Sequence, residues 1–107
     1  MTPPALSVVV AVQYARANLA AIVAALNPAA HPKVEFLFCY TDADADTPGE
    51  VDAGNHVRAL SCAPGSLIPH LWRDGICAAR GDYVALTTAH CVPDAAWVNE
   101  LTRLCRT

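Results

Sequence analysis

The sequence predicts an α/β domain with a mostly parallel sheet and helices on both of its faces. Ser7 to Val12 reads Ser-Val-Val-Val-Ala-Val, a β-branched run without polar alternation, as in strands buried on both faces. Arg16 to Leu26 then changes period, with Leu19, Ile22, Val23 and Leu26 at the spacing of an amphipathic helix. The same strand-helix alternation returns in the second half of the chain, which is the pattern of βαβ units.

In chain order, the first strand and helix end at Asn27-Pro28, and Val34 to Tyr40 forms the second strand, apolar except for Glu35. It runs into Thr-Asp-Ala-Asp-Ala-Asp-Thr-Pro-Gly, an acidic, turn-rich loop. His56 to Cys62 is a third, shorter strand. Pro64-Gly65 breaks it before a helical segment from Ser66 to Arg80, with Leu67, Leu71 and Ala78 on one face and Ser66 as its cap. Gly81 is placed as the glycine that closes that helix, and Asp82 to Thr87 as the fourth strand. Pro93 to Leu104 reads as a last helix.

Composition narrows the function classes. With 107 residues, 54% hydrophobic and 16% charged, the chain fits one domain, residues 1–107. Seven basic against ten acidic residues give a net charge of −3, with Lys33 the single lysine, so the electrostatic footprint of a nucleic-acid binder is missing. The longest apolar stretches fall short of the roughly 20 residues that span a bilayer. The start, Met-Thr-Pro-Pro, has no basic region of a secretory signal, and a cytoplasmic location is expected. Cys39, Cys62, Cys77, Cys91 and Cys105 include no C-x-x-C pair and are expected to be reduced and mostly buried.

In parallel α/β sheets, ligands bind outside the carboxyl ends of the strands, which selects Gln13 to Ala15, Thr41 to Asp46 and Thr88 to Val92. Asp42, Asp44 and Asp46 alternate along the second of these loops. That spacing suits a hydroxyl pair or a hard cation, and equally an acidic loop in water. It lacks the glycine and the glutamate of an EF-hand loop. His31 and His56 lie beside turns and are expected to be solvated, whereas His70 faces either the cleft or the core. Trp72 and Trp97 are expected to anchor the core.

The string Leu86-Thr-Thr-Ala-His-Cys91 resembles the histidine segment of chymotrypsin-like serine proteases. In that family the aspartate and the nucleophilic serine of the Ser-His-Asp site follow the histidine in the chain, and no serine follows His90, so at most a degenerate segment of that family is implied.

Another resemblance covers nearly the whole chain. The order Ser7-Val-Val-Val-Ala-Val, helix, Val34-Glu-Phe-Leu-Phe, acidic loop, Val57-Arg-Ala-Leu, then Gly75-Ile-Cys-Ala-Ala-Arg-Gly-Asp-Tyr-Val-Ala-Leu86 is similar to the N-terminal half of family-2 glycosyltransferases. Gly75-Ile76, Ala79, Gly81-Asp82-Tyr83-Val84, Pro93 and Trp97 match that family's pattern, and Thr88-Ala89-His90 stands in place of its D-x-D. The resemblance implies a Rossmann-like, GT-A type three-layer sandwich, truncated here, that binds a UDP- or GDP-linked sugar. By that analogy the nucleotide-binding residues are Val12, Gln13, Asp42, Asp44, Arg73 and Thr88, with the two aspartates near the base and ribose. His90 is the candidate ligand for a divalent Mn or Mg, although an imidazole suits such ions less well than a carboxylate, so nucleotide binding is expected to depend little on metal or on His90.

The resembled family's acceptor-binding half and its catalytic base come after the point where this sequence stops at Thr107. No catalytic residue is therefore assigned, and no transfer activity is expected of the chain alone. The alternative from another class is a non-enzymatic α/β interaction module. Either way an exposed sheet edge is expected to favour a homo-oligomer or another partner.

Overall fold

In the computed structural model, which describes residues 4–15, 17–51 and 54–105, the four apolar runs become the strands of one sheet. They are β1 (Leu6–Val12), β2 (Glu35–Tyr40), β3 (Val57–Ser61) and β4 (Tyr83–Thr88), each within one residue of its expected bounds. Their spatial order is β3-β2-β1-β4 and every pairing is parallel, so the fold is α/β and Rossmann-like. A parallel sheet also removes the all-β setting that the protease-like histidine segment would need.

The helices are α1 (Leu19–Leu26), a single turn α2 (Thr47–Glu50), α3 (Ile68–Ala78) and α4 (Trp97–Leu104). Strand alternation divides the core between them. Val8, Val10 and Val12 join Phe36 and Phe38 against Leu19, Ile22 and Leu26 of α1 and Val98 of α4. On the opposite face Val9, Ala11, Leu37 and Cys39 meet Leu71 of α3. Central β1 is therefore buried on both sides, which is why its sequence lacks polar alternation. Each fully buried valine or leucine there contributes roughly 1.5–3 kcal/mol.

The lone charge in β2 is explained at the amino end of the sheet. Glu35 is only 5% exposed and is surrounded by donors. Its Oε1 accepts from Ser7 Oγ at 2.7 Å and from the Arg80 amide at 2.8 Å, and Oε2 accepts from Arg58 at 3.2 Å. Arg58 also donates to the Ala78 carbonyl at 2.6 Å, and the Gly81 amide to Ser7 Oγ at 2.9 Å. One carboxylate thus ties β1, β2, β3 and the end of α3 together.

Helix ends depart from the sequence reading. Helix α3 begins at Ile68, where Pro69 fits the first turn, and the Leu67 amide donates to His70 Nδ1 at 3.0 Å. Ser66 instead donates to the Ala63 carbonyl, so it is not the cap. His70 is exposed rather than in the core. Gly81 does not hold a left-handed φ. It is there because a Cβ would sit 2.7 Å from Ser7 N and Oγ. Helix α4 starts at Trp97, four residues later than expected, because Asp94 accepts from the Ala96 amide in a turn ahead of it. Helix α1 starts at Leu19, after a turn on the Ala15 carbonyl; Arg16, the expected start, lies outside the described residues, as does Thr107. His56 is held by the Pro28 carbonyl at 2.7 Å and stacks edge-on to Phe36, so it is a partnered residue rather than a solvated one.

All five cysteines are free, but Cys77 and Cys91 are exposed and Cys105 is half-buried, so only Cys39 and Cys62 follow the buried pattern. Burial pushes the Cys39 thiol up to about 12 and the Cys62 thiol up to about 11, with neighbouring Asp74 adding to both. Because the thiolate is the nucleophile, iodoacetamide at pH 8 is expected to label Cys77 and Cys91 while sparing Cys39 and Cys62 in the folded chain. Mass spectrometry of the digested adducts checks this, and early labelling of Cys39 would contradict it.

Candidate functional site

Strand order fixes where a ligand cleft opens. From β1 the chain moves outward to β2 and then β3, and crosses back to place β4 on the other side of β1. The carboxyl ends of β1 and β4 are the topological switch point, the location at which open α/β sheets form their binding crevice. Gln13, Tyr14 and Ala15 leave β1 there, and Ala89 and His90 leave β4.

The segment after β1 is held from both flanks. From the β2 side, Asp44 accepts the Tyr14 amide at 2.8 Å with Oδ2 and the Ala15 amide at 3.0 Å with Oδ1. From the β4 side, His90 Nε2 meets the Gln13 carbonyl at 2.6 Å. A carbonyl only accepts, so Nε2 carries the proton and Nδ1 is the ring's remaining lone pair. Between these clamps Tyr14 has φ of 50°, a left-handed conformation that costs a bulky residue about 1–2 kcal/mol. Its side chain is 77% exposed. Strain of this kind persists only where surrounding bonds over-determine it, as the two amide bonds to Asp44 do here.

Asp44 owes its position to the acidic segment. Asp42–Asp44 form a 3-10 turn capped by Thr41, whose Oγ1 accepts from the Ala43 amide, and Thr47 Oγ1 donates to the Asp44 carbonyl at 2.7 Å. The sequence reading of one long loop missed this turn and α2, since Pro48 looks like a breaker but is favoured in a first helical turn. A groove lined by Leu19, Asp42, Asp46 and Glu50 borders the segment. Its carboxylates repel an anionic group.

The residues singled out from sequence meet the crevice unequally. Gln13 is half-buried and presents its carbonyl to His90, and Thr88 closes β4 with Oγ1 accepting from the His90 amide at 3.3 Å. Asp42 is exposed, whereas Asp44 is 7% exposed and engaged with the backbone. The Val12 side chain is fully buried in the core, leaving its backbone alone for a ligand. Arg73 sits on α3 with its guanidinium exposed and 3.3 Å from Asp74; the adjacent Trp72 donates to the Thr87 carbonyl, which sets this stretch of α3 level with the end of β4. Tyr14 was not singled out by sequence reasoning. Its one signal was position, an aromatic residue directly beyond the buried run of the central strand.

A divalent metal fits this donor set poorly. Among the described residues no group of three or more His, Cys, Asp or Glu side chains could hold an ion. His90 offers only Nδ1, and Thr88 beside it is a neutral hydroxyl rather than the carboxylate that Mg or Mn prefers. Among the described residues no helix is long and apolar enough to cross a membrane. No family model matches this sequence, and no curated protein matches it significantly.

Proposed function

We propose that the crevice at the carboxyl ends of β1 and β4 binds the nucleoside diphosphate of a UDP- or GDP-linked sugar, as the resemblance to family-2 glycosyltransferases implies. The observation that carries this reading is Tyr14: strained, clamped through its backbone and left with an exposed ring at the switch point. An aromatic face presented to water by a rigid loop is a stacking platform for a base, worth about 1–3 kcal/mol. Exposed Asp42 lies on the flank where ribose hydroxyls or base N–H groups find an acceptor. Asp44 acts through the Tyr14 and Ala15 amides as a positioning residue.

On the other flank, the Thr88 hydroxyl brings a donor, and neither Thr88 nor His90 brings a fixed negative charge to the diphosphate. Glycosyl transfer needs an acceptor-side base and neutralisation of the leaving diphosphate, and neither Thr88 nor His90 supplies both. Binding without transfer is the expected behaviour of the chain alone. The His90–Gln13 bond revises one expectation from sequence: His90→Ala weakens binding by loosening the loop, and does so equally with and without metal.

Calorimetric titration with uridine and guanosine diphosphate, with Mn and with chelator, tests the reading. One nucleotide should bind with the same affinity in both buffers, and Tyr14→Ala should weaken it by about fivefold or more, the lower end of a stacking contribution. Tyr14→Gly should lose the same affinity without losing stability, since glycine accepts the left-handed φ. No heat from either nucleotide, or equal affinity in Tyr14→Ala, would overturn it.

A further inference from the structure

On the flank of the crevice next to Tyr14, the donors are taken and the acceptors are free. Asp44 accepts the Tyr14 and Ala15 amides, the Thr41 hydroxyl accepts the Ala43 amide, and the Thr41 carbonyl accepts the Asp44 amide at 3.0 Å. Thr47 Oγ1 donates to the Asp44 carbonyl. The adjoining groove, about 320 Å³ in volume, is lined by the exposed residues Asp42 and Glu50, and among the described residues neither carboxylate has a bonding partner. Tyr14 separates this flank from an ordinary solvated acidic loop, because its ring is held in the open where the acidic segment meets the end of β1.

Resting on the reading of this crevice as a nucleoside-diphosphate site, we propose that the base it selects is guanine and that Asp42 selects it. The Watson–Crick edge of guanine carries N1–H and the 2-amino group side by side, a pair of donors that matches the two oxygens of one carboxylate. Uracil carries a single donor, N3–H, between the carbonyl oxygens O2 and O4. A carboxylate that accepts N3–H sets its negative charge against both of those acceptors, and the amides of Tyr14, Ala15, Ala43 and Asp44 that could bond them are already engaged. Glu50 adds to the negative field of the groove and so favours the base edge richest in donors. A purine also covers more of the Tyr14 ring than a pyrimidine does.

Calorimetry with guanosine, inosine and uridine diphosphates on the full chain tests the choice. GDP should bind about tenfold or more tighter than UDP, the weight of one added charge-assisted hydrogen bond. Inosine differs from guanine in lacking the 2-amino group, so IDP should fall most of the way from GDP towards UDP. Asp42→Asn replaces one of the paired acceptors with a donor and should bring GDP to within about threefold of UDP. Asp42 is exposed and bonds no other element through its side chain, so this variant should keep the wild-type circular dichroism. Tyr14→Ala separates the two possible failures. GDP and UDP binding equally, or UDP more tightly, with both weakened by Tyr14→Ala, would overturn the choice of guanine and leave the crevice reading standing. A GDP preference that survives intact in Asp42→Asn would overturn the assignment to Asp42. Binding of none of the three would overturn the crevice reading and the proposal with it.

Discussion

Glu35→Ala is expected to destabilise the fold by about 3 kcal/mol or more, because it removes the acceptor on which four elements converge. The Ser7 hydroxyl, the Arg80 amide and the Arg58 guanidinium all lose their bond to this carboxylate, and Ser7 and Glu35 are almost fully buried. Arg58 is a third exposed, so water repays part of the loss on its side, which keeps the figure at the lower end for a broken buried pair. Against a typical total of 5–15 kcal/mol the effect is large. Glu35→Gln should cost less, since its amide oxygen can still accept from Ser7 and Arg80. Urea denaturation followed by circular dichroism measures both. A Glu35→Ala change below 1 kcal/mol would show that the network adds little.

Gly75→Ala is the second large effect. Helix α3 packs so closely on the sheet here that a Cβ would lie 2.3 Å from Val9 Cγ1 and 2.9 Å from Cys39 Sγ, both buried without slack. Separation has to come from lifting α3 or distorting β1, at the upper end of the 1–3 kcal/mol range of overpacked cores, about 3 kcal/mol. The cause is checkable by a second change. Val9→Ala removes the nearer clash, so the double variant should be more stable than the sum of the two single losses. Strict additivity would contradict the close-packing account.

The strands were legible because burial on both faces leaves an unmistakable run such as Val8 to Val12, and their parallel pairing followed from the strand-helix alternation, whereas their order in the sheet was not read from the sequence. Helix starts were not, because they are set by particular bonds: His70 accepting the Leu67 amide, or Asp94 accepting the Ala96 amide. Glu35 carried a legible signal as the lone charge in an apolar strand, but its partners Arg58 and Arg80 are distant in sequence. The site was legible as a set of three loops and no further. Asp44 reaches Tyr14 across thirty residues of chain, and His90 reaches Gln13 across seventy-seven. A left-handed tyrosine has no local signature, since residues that favour that conformation are glycine, asparagine and aspartate.

Amide chemical shifts during titration with uridine or guanosine diphosphate test most directly whether the crevice at the switch point binds a nucleoside diphosphate, as proposed. The largest changes should fall on Gln13, Tyr14 and Ala15 after β1, with Asp42 on one side and Ala89 and His90 on the other. Amides at the amino end of the sheet, around Glu35, Arg58 and Gly81, should stay in place. Shifts confined to that end, or no shift at Tyr14 and Ala15 with nucleotide at millimolar concentration, would contradict it.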